Sequence, residues 1–222
     1  MAIAKGRTDC QAERDVIIQG FDDMLNALIR AKKQTDIHAK ASLYDILKDD
    51  SISDDERLTI SKAFNDLLSD QEEKDIRIRQ AILIGLFSFW EISLHDICEY
   101  YGIWPTTSST SSKDKKPTKQ SYKLYSYNYL NAIYSSKIPE SSNLIESQIK
   151  ELRNYMTHGC ADSRRQAILD NLLTAYPEFH ISSTNDTYYI SDYAGLYNIL
   201  KIISDELKDA ENTAKNSKTT KK

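Results

Sequence analysis

Apolar residues recur along this chain mostly at intervals of three and four, the period of one helix face. From Gln11 to about Lys33, Ile17, Phe21, Met24, Leu25 and Leu28 keep that spacing and predict an amphipathic first helix. A short helix is expected over His38–Lys48. Ser53 before Asp54, Asp55 and Glu56 reads as an N-cap followed by acids in the first turn, and Leu58, Ala63, Phe64, Leu67 and Leu68 carry that helix to about Ser69. A long helix follows from about Gln71 to Tyr101. Its middle, Ala81–Trp90, is apolar nearly all round, which predicts a central helix buried on several sides. Trp104-Pro105 ends it.

Thr106–Lys119 is Ser/Thr/Lys-rich, and the stretch 104–120 is expected to be a mobile loop. Its lysines, Lys113, Lys115, Lys116 and Lys119, either touch RNA phosphates or are simply solvated. Ser121–Tyr134 carries Tyr122, Tyr125, Tyr127, Tyr129 and Tyr134, and a helix there places Leu130 against the core. The rings either stack bases or pack at a surface or subunit interface. After Pro139, Leu144, Ile145, Ile149, Leu152 and Met156 form the apolar stripe of a helix that begins near Ser142 and stops at Gly159. Asp162 caps a helix over Ser163–Ala175. Glu178–Ser183 and Thr187–Ser191 alternate around Thr184-Asn185-Asp186 and predict a small β-hairpin over 178–191. Ser191 or Asp192 caps a last helix with the stripe Leu196, Ile199, Leu200, Ile203 and Leu207. The fold class is mainly α, an antiparallel helical bundle with a small C-terminal β-hairpin. Residues 11–212 form one domain between a disordered start, 1–10, and a disordered basic tail, 213–222.

Composition narrows the class. The chain has 222 residues, 40% of them hydrophobic and 28% charged, with 6 Gly and 4 Pro, which suits a soluble helix-rich domain. No apolar run approaches a membrane span and the start lacks a signal-peptide core, so a cytoplasmic protein without membrane contact is expected. Cys10, Cys98 and Cys160 are odd in number and scattered, in keeping with a reducing compartment. The net charge of −4 does not mark a nucleic-acid binder, but residues 1–103 carry 13 Lys+Arg against 20 Asp+Glu and residues 104–222 carry 16 against 13.

The candidate chemistry lies in that more basic half. Arg153, Asn154 and His158 fall in the last turns of the helix that Gly159 ends. Asn154 and His158 are four apart and share a face, whereas Arg153 and His158 differ by about 140° around the axis. One helix does not aim both groups at one point; a second copy across a two-fold axis could bring arginines and histidines into one cleft. A guanidinium holds phosphate charge and an imidazole moves protons near neutral pH, a pairing suited to phosphodiester chemistry. There is no Walker-type phosphate loop, no marked nucleophile triad and no basic recognition helix. His95 and Cys98 share a helix face, but two ligands do not make a site, so neither a metal nor a cofactor is expected.

Arg153-Asn154-x-x-x-His158 resembles the R-N-x-x-x-H signature of the HEPN domains. Phe89-Trp90-Glu91 looks like the aromatic-plus-acid stretch that many members place beside the motif helix, and the predicted hairpin is similar to one found after it. The resemblance covers roughly Gln71–Leu207. In the catalytic branch it implies a metal-independent endoribonuclease, a two-fold dimer of helical bundles, of the kind found in prokaryotic toxin and antiphage systems. On that footing His158 serves as general base or acid for attack of the ribose 2′-OH, Arg153 binds the scissile phosphate, and Asn154 orients His158 or holds the RNA backbone. Glu91 then approaches Arg153, or else sits on a solvated helix edge. Arg164 and Arg165 extend an anion site or are solvated. The implied partners are RNA, a second copy of the chain and an antitoxin or defence-system protein. Some HEPN toxins carry a modifiable tyrosine two residues after the motif histidine; Cys160 stands there, which counts against neutralisation by that route. The alternative function is a non-catalytic helical module that dimerises or holds a nucleotide or protein.

Overall fold

A computed structural model describes residues 5–105, 126–135, 137–159, 162–184 and 187–219, with backbone alone for 5–10 and 218–219. Helix α1 spans Lys5–Leu47 and α2 spans Asp54–Tyr101. Then come α3 (Ser126–Tyr134), α4 (Glu140–Leu144), a π-helical turn (Ile145–Ile149), α5 (Lys150–His158) and α6 (Ser163–Ala175). A 3₁₀ turn (Pro177–Phe179) leads into strands β1 (Ile181–Thr184) and β2 (Thr187–Ile190), and α7 (Tyr193–Thr219) closes the chain. The protein is mostly helical, with a two-stranded antiparallel sheet near its C-terminus. Most of the expected 104–120 loop, the tyrosines Tyr122 and Tyr125, the hairpin tip Asn185-Asp186 and Cys160 lie outside the described residues.

Helix α2 starts with a reciprocal cap: the Ser53 hydroxyl accepts from the Glu56 N–H, and the Glu56 carboxylate accepts from the Ser53 N–H at 2.9 Å. It ends at Gly102, whose φ of 66° an L side chain would resist. Two pairs of expected helices are each one helix. The polar runs Lys33–Asp36 and Ser69–Lys74 hold neither Gly nor Pro, so nothing stops the backbone there; the apolar period lapses because those turns stand in water. Between Leu25 and Asp75 no described residue is fully buried. The C-terminal part of α1 and the N-terminal part of α2 therefore form an arm that leaves the helical body. At its root Lys32 bridges Glu72 (2.8 Å) and Asp75 (2.7 Å), and the buried Arg79 pairs with Glu72 at 2.5 Å and lies over the Tyr193 ring.

The core of the body is built on Leu83, Leu86, Phe87, Trp90, Leu94 and Ile97 of α2. Against them pack Leu196, Ile199, Leu200, Ile203 and Leu207 of α7, Leu130 and Ile133 of α3, and Ile149 and Leu152 of the motif helix. Helix α1 begins at Lys5, inside the stretch expected to lack order, and α7 runs on to Thr219, with Ala210 and Ala214 buried. The sheet pairs Ile181 with Ile190 and Thr184 with Thr187. Its Tyr188 is held edge-on to Tyr155 of α5, and the Tyr188 hydroxyl donates to Asp170 of α6 at 2.5 Å. The hairpin thus braces the motif helix. Gly195 lets α7 close over it: a Cβ there would sit 2.1 Å from the Phe179 carbonyl oxygen.

Candidate functional site

The motif occupies the last turns of one continuous helical run, Glu140–His158, interrupted by the π turn at Ile145–Ile149. Such turns hold one extra residue and change the phase of the faces beyond them. Here the helix keeps Ile145, Ile149 and Leu152 buried on one side and ends at Gly159, whose φ is 69° and whose N–H donates to the Tyr155 carbonyl at 2.7 Å. As the 140° separation requires, Arg153 turns inward and His158 stands exposed.

The Arg153 guanidinium lies over the Phe87 ring at 5.3 Å, and its Nη1 donates to the Asn154 side-chain oxygen at 2.9 Å. Its Nε is enclosed and meets no acceptor among the described residues. Glu91, one turn beyond Phe87 on α2, is close enough to feel the charges of Arg153 and Lys150. Burial pushes the Glu91 carboxyl up from its ordinary value; the two cations oppose that, and the Glu146 carboxylate adds to it. Of the two expectations for Glu91, approach to Arg153 is the one observed. Ser126 of α3 donates to Glu146, and Lys150 pairs with Glu146. Arg153, Glu91, Glu146, Lys150 and Ser126 thus form one polar cluster where α2, α3 and the motif helix meet.

The arginines of α6 divide. Arg165 donates from Nε to Glu151 at 2.7 Å and so ties α6 to α5, while Arg164 is exposed. Asp162 accepts from the Arg165 N–H at 2.8 Å, the cap expected of it. Phe87, Glu146 and Lys150 were not singled out in the sequence. Phe87 stands four residues before Glu91, and Glu146, Lys150 and Asn154 recur every four, a spacing that agrees with where they lie but does not by itself mark them.

Cys98 is buried, its thiol pushed up to about 12 by burial, which suits a core residue rather than a ligand. His95, Asp96 and Glu99 bring one donor atom each within 4.8 Å of one another and are the described residues that could hold a metal ion. By length and composition α2 also passes for a membrane span, with half of that window buried. No protein-family model, curated protein or solved structure matches the chain.

Proposed function

We propose that this protein is a metal-independent endoribonuclease of the HEPN type, an antiparallel helical bundle acting as a two-fold dimer in a prokaryotic toxin or antiphage system. The observation that carries the reading is the arrangement of Arg153: half-buried, laid over Phe87, bonded to Asn154 and within reach of the charge of the Glu91 carboxylate, five residues before the exposed His158. A cation fixed by an aromatic ring and a neighbouring acid is preorganised to meet the charge that builds on a phosphate. The bond to Asn154 uses one of the five N–H donors of the guanidinium, and a planar fork of this kind can hold phosphate oxygens at two points.

His158 takes the proton of the ribose 2′-OH or returns one to the leaving 5′-oxygen. Attack by the 2′-oxygen on the adjacent phosphorus breaks the bond to the 5′-oxygen and leaves a 2′,3′-cyclic phosphate, which water opens to a 3′-phosphate. The substrate is RNA, since DNA lacks the nucleophile. The inward turn of Arg153 favours a second reading, a binding module in which that residue only braces the helix end.

The experiment that separates them incubates the purified chain with RNA in EDTA, beside the same RNA with 2′-O-methyl riboses. The nuclease cuts the first and spares the second. No cleavage of any RNA, with or without expected partner proteins, hands the site to the binding module.

A further inference from the structure

The last turn of α2 closes a helix of 48 residues and holds no basic side chain. The carbonyls of a helix end carry partial negative charge, which a cation relieves. Two acidic residues stand there as well: Asp96 and Glu99 are three apart and neighbours on the helix surface. His95 is four residues before Glu99 and shares its face. One donor atom from each of these three side chains lies within 4.8 Å of the other two. The sequence groups His95 with Cys98 instead, but the fold turns Cys98 into the core, its thiol towards the Tyr129 carbonyl.

His95 is the fixed member of the three. Its side chain is 15% exposed, and its ring meets the Tyr129 ring edge-on at 5.6 Å and the Trp104 ring at 6.2 Å. Its Nδ1 stands 3.1 Å from Asp96 Oδ1. Two donors on one ion, each 2.0–2.2 Å from it at a tetrahedral angle, are about 3.4 Å apart. The His95–Asp96 pair is already near that spacing, and Glu99, which is exposed, closes on it by turning about its own stem. A ring held from two sides loses little rotamer freedom when it takes up a ligand.

We propose that His95, Asp96 and Glu99 form a binding site for one divalent transition-metal ion of the Zn²⁺ or Co²⁺ class, with water completing its shell. The donor set selects the class. An imidazole nitrogen suits these borderline ions, whereas Mg²⁺ and Ca²⁺ take shells of six or more oxygens. The ion's charge is set against two carboxylates and the negative end of α2. The three ligands include none of Arg153, Asn154 and His158, and His95 lies one turn beyond Glu91, so the ion takes no part in the proposed cleavage. Its effect is on the frame. Trp104 follows the end of α2 and Tyr129 belongs to α3, and both pack on the His95 ring. An ion that fixes this ring fastens the end of α2 to α3, and any ligand that binds only the folded chain raises its stability.

The test starts from the full chain stripped of metal by a chelator that is then removed. Co²⁺ is the probe, because its visible absorption reports its ligands. The expected result is uptake of one ion per chain with a dissociation constant in the micromolar range, competed by Zn²⁺ and not by about a hundredfold excess of Mg²⁺. His95→Gln weakens Co²⁺ binding by at least about a hundredfold, and Asp96→Asn and Glu99→Gln each by at least about tenfold. His38→Ala and His180→Ala leave it unchanged. Zn²⁺ raises the melting temperature of the parent and not that of His95→Gln. Glu99→Gln repeats the test at an exposed position, where no packing changes. No uptake at micromolar Co²⁺, or uptake indifferent to both His95→Gln and Glu99→Gln, overturns the site, and displacement by Mg²⁺ overturns its assignment to a transition metal. A chain that binds the ion as described but cuts no RNA leaves this site standing and counts against the nuclease reading alone.

Discussion

Trp90 Nε1 donates to the Glu206 carboxylate at 2.5 Å, inside the body, where both side chains are almost wholly shielded from water. The other Glu206 oxygen accepts from the Ser142 hydroxyl at 2.9 Å. One carboxyl thus ties the central helix α2, the start of the motif run and α7 together. Burial pushes it up to about 7, opposed by the hydrogen bonds from Trp90 and Ser142 and reinforced by the charge of Asp209. The folded protein holds this proton more tightly than the unfolded chain, whose carboxyl titrates near its ordinary value. Stability is therefore full below that ordinary value and falls as pH rises towards 7, by on the order of 3 kcal/mol in total. Glu206→Gln keeps an acceptor for Trp90 and has no proton to lose. Thermal melts between pH 5 and pH 8 are expected to slope downward for the parent and to run nearly flat for the variant, which should melt several degrees higher at pH 8. Parallel slopes would show that Glu206 does not titrate in this range.

The division of labour between Arg153 and His158 makes a prediction about two variants. His158 is exposed at a helix end, so His158→Ala should leave the melting point within a few degrees of the parent while RNA cleavage drops by roughly 10²–10⁴-fold. Arg153→Lys keeps the charge but not the planar fork that spans Phe87 and Asn154. Cleavage should fall by at least about tenfold, since one ammonium cannot replace a two-point phosphate contact. RNA gels in EDTA, with a melting curve for each variant, read both effects. If His158→Ala cuts like the parent and EDTA stops both, a metal nuclease or a contaminant is responsible.

The arm makes a separate prediction. None of its side chains is fully buried, and residues 34–74 carry eleven Asp+Glu against five Lys+Arg, so packing is thin and like charges repel. Regions with few buried contacts open locally long before a protein unfolds. Hydrogen exchange of the full chain is expected to proceed at least about a hundredfold faster across residues 34–70 than across Leu196–Leu207 of α7. Protection in the arm equal to that of α7 would mean that something else covers it.

How much of this was readable beforehand depended on what polarity was taken to mean. The hairpin was legible because Glu178–Ser183 and Thr187–Ser191 read as alternating around Thr184-Asn185-Asp186, although the first strand starts only at Ile181, after the 3₁₀ turn. The start of α2 was legible because Ser53 and Glu56 have the spacing of a reciprocal cap. The breaks expected between α1's two halves and at Ser69–Gln71 were not real: a polar run inside a helix reports exposure, and only Gly, Pro or a cap reports an end. The motif residues were legible as a spaced triplet, and Glu91 through the aromatic stretch beside it. Phe87 was not, because nothing in its own stretch distinguishes a ring that faces a cation from one that faces the core. Glu146 and Lys150 flank the middle of a π turn, where a fixed 100° step no longer gives the direction of a side chain.

Glu91 carries the last prediction. Its carboxyl is half-buried among Arg153, Lys150 and Glu146, with burial the largest influence and its proton held more tightly than in water. As a carboxylate it attracts the Arg153 guanidinium; once protonated it no longer does. Activity should therefore fall on the acid side, as pH drops through the raised value of this carboxyl. Glu91→Gln fixes the neutral state at every pH. Turnover should then be low throughout, by about tenfold, and the acid limb set by Glu91 should vanish. Glu91→Asp, which restores the charge on a shorter stem, should recover part of the rate and bring the limb back. A role limited to packing would leave the acid limb in place, so a Glu91→Gln profile that keeps the parent's shape would remove Glu91 from the mechanism and leave Phe87 and Asn154 as the residues that position Arg153.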